Sequence, residues 1–179
     1  MASPKERLGA VSYLVLGLIA TQGPSTPYEL KRFVGRSIGY FWAFPHSQLY
    51  AEPERLAAAG LLKEAREEGG RRRRVFSLTR AGRSALRAWL RTPVEESAEI
   101  RDLGLLKLFF GGLSDPSAVV SLARDQQAAH RRRLEEYADI ESLLSDRPEL
   151  RYPQLALRMG KSHERASLRF WEAVEREHR

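Results

Sequence analysis

Four consecutive arginines, Arg71, Arg72, Arg73 and Arg74, follow Gly69-Gly70 and precede the apolar run Val75-Phe76-Ser77-Leu78. A guanidinium stays charged at every physiological pH and presents a planar fork of donors that matches phosphate oxygens. An Arg cluster at a turn is therefore suited to a polyanion. The other chemistry-bearing residues form no constellation. His46, His130, His163 and His178 are scattered, with no pair at His-x-x-x-His spacing. The chain has no cysteine, which excludes disulfides, thiolate metal sites and a Cys nucleophile. No glycine-rich loop has the spacing that cradles a nucleotide phosphate. We expect no catalytic residue, no metal and no cofactor, and hence not an enzyme.

The formal charge of +7 is concentrated in the first half. Residues 1–92 carry sixteen Lys and Arg against seven Asp and Glu, and residues 93–179 carry fourteen against sixteen. Such asymmetry points to nucleic acid or to an anionic membrane. The most apolar stretch, LGAVSYLVLGLIA at residues 8–20, has thirteen residues, where a spanning helix needs roughly 20. It reads as a buried helix and not as a signal or membrane segment, and a cytoplasmic location is expected.

The elements that must position the arginines follow from local signals. Residues 8–21 are apolar on nearly every face, as for a helix enclosed by others. In STPYELKRFVGRSI, Thr26 caps, Pro27 suits the first helical position and Glu29 completes a capping box. AFPHSQLYAEPERLAAAGLL gives a third helix, with Pro45 in its first turn, Leu49, Leu56 and Ala59 inside and Gly60 as its stop. Pro53 lacks a donor and crowds the carbonyl four residues earlier, so a kink or break is expected there. LLKEAREEGGRRRRVFSLT then reads as a hairpin turning at Glu68-Gly69-Gly70. Thr79 caps a fourth helix that Pro93 ends.

The second half reads as helical throughout. IRDLGLLKLFF is a short helix closed by Gly111-Gly112. Asp115 and Pro116 start a long one to about Ser145, with Val120, Ala123, Gln127, His130, Leu134, Tyr137, Glu141 and Leu144 as its seam. A last helix carries Leu155, Met159, Ala166, Phe170 and Val174 on one side. The expected fold is mainly α with a small β-hairpin wing: a winged helix-turn-helix over residues 1–92 and an α-helical dimerisation domain over 93–179. In that architecture the third helix enters the DNA major groove and the wing lies along the backbone. Arginines at the wing tip would then meet phosphates or the narrow minor groove. The helix from Asp115 is about 45 Å long at roughly 1.5 Å per residue, more than one small winged domain covers, so a second copy of the chain is expected against it.

These residues also resemble a family. YELKR, an aromatic stretch with SQLYAEPERLAAAGLL, and RRRRVFSLTRAGRSALRAWL are similar to the N-terminal domain of PadR-type transcriptional regulators. LKLFF and the long QQAAHRRRLEEY helix are similar to the C-terminal domain of the longer members. The family commonly has Pro directly after the Tyr and Leu two residues on, where this chain has Ala51 and Pro53. By the resemblance and by position, His46, Ser47, Gln48 and Tyr50 are candidates to face double-stranded DNA, with Gln48 able to read adenine. Tyr28 and Lys31, at the start of the second helix, are candidates for backbone contacts. The resemblance further implies a homodimeric repressor on a pseudo-palindromic operator.

Rings are concentrated at YFWAF, residues 40–44, and at Phe109, Phe110 and Trp171. They read first as packing between domains. Phe41, Trp42, Phe109, Phe110 and Trp171 are also candidates for a pocket holding a small hydrophobic or aromatic effector, since PadR relatives respond to phenolic compounds. The alternative from another class is an interaction adaptor whose basic wing meets an acidic protein or a membrane surface. A membrane binder pairs its basic residues with an exposed apolar face, whereas Val75, Phe76 and Leu78 have the spacing of packed strand residues.

Overall fold

The computed structural model of the chain describes residues 8–35, 37–42, 44–66, 73–95, 97–145 and 147–178. Two compact units make it up, residues 1–96 and 97–179.

The first unit contains α1 (Ala10–Gln22), α2 (Pro27–Val34), α3 (Gln48–Ala58), β1 (Leu62–Arg66), β2 (Arg74–Leu78) and α4 (Arg80–Trp89). The all-round apolarity of α1 places it at the centre, with Val15, Leu16, Leu18 and Ile19 buried. They share one core with Leu30 and Val34 of α2, Leu49 and Leu56 of α3, and Phe76 of β2. Each such side chain removed from water contributes about 1.5 to 3 kcal/mol. The core therefore holds α2, α3 and the hairpin to a common centre.

Local chemistry sets the ends of these elements. Thr26 Oγ1 accepts from the Glu29 N–H at 3.3 Å, and the Glu29 carboxylate accepts from the Thr26 N–H at 2.8 Å. This closes the capping box and orients α2. At the far end of α3, Gly60 takes φ +73°, a conformation open to glycine at no steric cost. The Leu61 N–H then reaches the Leu56 carbonyl at 2.9 Å, and the Gly60 N–H that of Ala57 at 3.0 Å. These two bonds form a Schellman closure. The break expected at Pro53 is absent, because α3 runs continuously through it. Proline has no N–H to donate, and its ring is fully buried, so packing offsets the absent donor.

Strands β1 and β2 pair antiparallel, Leu62 opposite Leu78, Glu64 opposite Phe76 and Arg66 opposite Arg74. Ser25, in the loop before α2, adds a bridge to Phe76 through bonds of 3.0 and 2.9 Å. The hairpin is thereby fastened to the start of α2 as well as to the core.

The second unit is helical, with α5 (Leu103–Phe109), α6 (Pro116–Leu144) and α7 (Arg151–His178). Helices α6 and α7 form a hairpin around Val119, Ala123, Trp171 and Val174. Here the hydropathy pattern misplaces part of the seam. Val119 is buried and Val120 only half so, and on α7 Met159 remains 71% exposed. Polar pairings set the facing instead. Gln127 donates to Glu175 at 2.7 Å, His130 meets Glu164 at 2.5 Å, and Lys161 pairs with Glu141. Gly160 lies beneath the Tyr137 ring, where a Cβ would approach to 3.0 Å. Among the described residues, no helix is long and apolar enough to cross a membrane.

Candidate nucleic-acid interface

Leu49 and Leu56 anchor α3 in the core, which turns Gln48, Tyr50 and the preceding His46 and Ser47 outward. The chain arrives by a turn in which the Gln48 N–H bonds the Pro45 carbonyl at 3.0 Å, and the Leu49 N–H that of His46 at 3.1 Å. Tyr50 is 45% exposed and Tyr28, on the first turn of α2, is 65% exposed. Lys31 lies three residues on from Tyr28, on the same helical face.

Tyr28, Lys31 and His46 line one concave surface, together with Arg32 and Gly35. The fold thus joins two segments that stand apart in the sequence. Arg32 was not among the expected residues; its i, i+4 spacing from Tyr28 on a helix was the signal available. A phenol, an ammonium, a guanidinium and an imidazole converge there, all able to donate to phosphate oxygens. Ser47 and Gln48 stand exposed at the start of α3 beside them in the chain.

Arg71 and Arg72 lie outside the described residues. Arg73 is exposed, and its charge adds to the influences that hold the Glu29 carboxyl below its ordinary value, the largest being the Thr26 backbone N–H. Arg74 differs from its sequence assignment as a wing-tip cation. It is the first residue of β2, with Nε and Nη2 donating to the two oxygens of Glu64 at 2.7 and 2.8 Å. Its Nη1 pairs with Glu54 of α3. The physical reason lies in the register. Glu64 faces Phe76, which makes Arg74 its diagonal neighbour, within reach of a long side chain. The hydrogen bonds from Arg74 hold the Glu64 carboxyl below its ordinary value, and Glu64 in turn raises the Arg74 guanidinium.

A second tie links α3 to α1. Arg55 donates to Ser12 Oγ at 3.0 Å and to both Glu52 oxygens at 3.0 and 2.6 Å. Burial pushes the Glu52 carboxyl up, and bonds from Arg55 and Ser12 outweigh it, leaving a net downward shift.

The candidate effector residues occupy different environments. Phe41 and Trp42 are exposed in the first unit. In the second, Phe109 and Phe110 are exposed and meet edge to face at 5.1 Å. Phe110 also lines a groove with Leu103, Leu106, Lys107, Leu122 and Asp125. Trp171 is 1% exposed, within the core of the helical hairpin. Among the described residues no group of three or more His, Asp or Glu could hold a metal ion.

Residues 15–88 match the sequence model of the transcriptional regulator PadR-like family, and residues 100–179 match that of the virulence activator alpha C-terminal domain. The negative transcriptional regulator PadR of Bacillus subtilis is 27% identical over 120 residues, 65% of this chain. That stretch spans 64% of the relative, just under two thirds of its length. The crystal structure of Bacillus subtilis PadR in complex with operator DNA superposes with a TM-score of 0.85 at 22% identity, covering 96% of this chain and all of that one. The structure of the same regulator in complex with p-coumaric acid gives 0.77 at 21% identity, covering 94% and 98%. At these identities the structures establish the shared fold.

Proposed function

We propose that the chain, whose residues 15–88 match the PadR-like family of transcriptional regulators, is a regulator of that type that represses transcription by occupying a pseudo-palindromic DNA operator as a homodimer, from which a small aromatic effector releases it. The observation that carries DNA binding is the single concave surface to which α2 and the turn before α3 both contribute, with Tyr28, Lys31, Arg32 and His46 lining it. In this reading those side chains hold the phosphate backbone while Ser47, Gln48 and Tyr50 face the groove. Gln48 has the paired donor and acceptor that adenine requires. In the same reading Arg71, Arg72 and Arg73 meet phosphates.

Family likeness supports the rest. One PadR relative has been solved on operator DNA and with p-coumaric acid. Exposed rings at Phe41, Trp42, Phe109 and Phe110 suit an aromatic ligand. Such a ligand acts only by its differential affinity for the DNA-bound and released conformations.

The test is a selection of duplex DNA from a random pool, followed by titration of the retained duplex at several salt concentrations. The wild type should retain a symmetric site. Replacing Arg71, Arg72 and Arg73 together by alanine should shrink the slope of log affinity against log salt by about 0.9 for each phosphate that an arginine had neutralised. An unchanged slope in a variant that circular dichroism shows folded would remove the wing from the interface. Retention of no duplex would favour the acidic-partner adaptor.

A further inference from the structure

Two carboxylates stand beside a surface assigned to a polyanion. Glu54 follows Ser47 by seven residues, so it lies about two turns along α3 on the same face, and it is exposed. Glu64 lies on β1, the first strand of the wing. Left unpaired, either would repel a phosphate backbone. Neither is unpaired. Arg74 engages both Glu64 oxygens through Nε and Nη2 and meets Glu54 through Nη1. Its guanidinium also lies over the Phe76 ring, 5.5 Å from the centroid, and Phe76 is fully buried. One side chain therefore joins the recognition helix, both wing strands and the core.

We propose that Arg74 is a positioning residue for DNA recognition, whose clamp on Glu54 and Glu64 fixes the wing against α3 and masks both carboxylates. The proposal rests on the DNA-binding reading above. A guanidinium suits this role because its fork addresses two carboxylates at once, whereas an ammonium acts as a point charge. The clamp also relieves the register. Arg66 and Arg74 are directly opposed across the hairpin, a like-charge pair that destabilises a ladder, and Glu64 lies within 3.8 Å of Arg66 and 2.7 Å of Arg74.

The clamp predicts an effect of opposite sign to simple charge removal. Near a polyanion, Glu54→Gln deletes a repulsive charge and on that ground alone strengthens binding to every duplex. If Glu54 instead helps position α3, Glu54→Gln lowers the ratio of affinity for the selected duplex to affinity for a scrambled duplex, by about tenfold. Arg74→Lys, which keeps the charge and loses the fork, should lower the same ratio without changing the salt slope. The double variant should lose less than the sum of the two.

Binding of wild type, both single variants and the double variant to the two duplexes is measured by fluorescence anisotropy across a salt series, with circular dichroism checking the fold. Glu54 is exposed, so its variant keeps the test usable if Arg74→Lys unfolds. Equal strengthening on both duplexes by Glu54→Gln overturns the clamp. So does an unchanged ratio in a folded Arg74→Lys, which would mean that the fork positions nothing. A wild type that does not distinguish the two duplexes refutes the recognition reading itself, before any variant is compared, and the clamp with it.

Discussion

Thr79 and Gly82 show how much one short motif settles. Thr79 Oγ1 accepts from the Gly82 N–H at 3.0 Å, capping α4, and donates to the Leu61 carbonyl at 2.9 Å. Gly82 lies so close to that carbonyl that a Cβ would fall 2.1 Å from its oxygen. Backbone cannot yield as a flexible side chain does, so Gly82→Ala should destabilise the first unit by about 1 to 3 kcal/mol. Urea unfolding followed by circular dichroism checks this; a loss below the lower figure would mean that α4 shifts freely on the hairpin. Residues acting within three or four positions of one another, such as Thr26 with Glu29 and Thr79 with Gly82, were legible in the sequence because their chemistry is local. Arg74 was not. Its partners lie ten and twenty residues away, and only the strand register and the placement of α3 reveal them.

At the scale of the element, the capping box of α2 makes a pH dependence specific. The Glu29 carboxyl sits below its ordinary value of 4.5, chiefly because it accepts from the Thr26 backbone N–H. A group whose folded value is depressed stabilises above its unfolded value and loses that contribution as pH falls through the folded one. Unfolding free energy should therefore decline as pH drops below 4.5, with Glu52 and Glu64 acting in the same direction. Glu29→Gln keeps a neutral acceptor but does not titrate. It should cost about 0.5 kcal/mol near neutrality and flatten part of the acid decline in urea titrations between pH 3 and pH 6, bounds set at about 1.5 units either side of the ordinary value. An identical acid profile in wild type and variant would show that titration of Glu29 contributes nothing to the decline. Because α2 starts at this box and carries Tyr28 and Lys31, its weakening should also loosen the concave surface. Helix signals of this kind were legible; the facing of α7 was not. Apolar spacing puts Met159 and Phe170 on one side of the helix with Val174, whereas Gly160, Glu164 and Glu175 occupy the seam with α6. On α6 the polar members Gln127, His130 and Glu141 are legible in the seam, but apolar spacing does not find the residues of α7 that pair with them.

At the scale of the whole molecule, the question is what covers the apolar side chains that one chain leaves in water. In the second unit Phe109 is 82% and Leu113 87% exposed, with Leu103, Leu106 and Met159 also open. Large apolar side chains left open in this number suit an interaction surface, and in an obligate dimer such side chains form the interface. The mass by light scattering at micromolar concentration should accordingly be near twice 20.4 kDa. Leu113→Asp would introduce a charge into that interface and should shift the mass toward the monomer, leaving the first unit folded by circular dichroism. A two-fold dimer presents two copies of α3 related by its axis, so the selected DNA should read as a pseudo-palindrome whose half-sites lie about one helical turn, roughly 10 to 10.5 base pairs, or a multiple of it, apart. Gln48→Ala should then relax discrimination at one symmetric position in each half-site while keeping binding to scrambled duplex. Two results would separate the parts of this argument. A Leu113→Asp protein that stays dimeric would place the interface elsewhere and leave the symmetric operator intact. A wild type that remains monomeric across the concentration range would remove the two-fold axis, and with it the reason for a palindromic site.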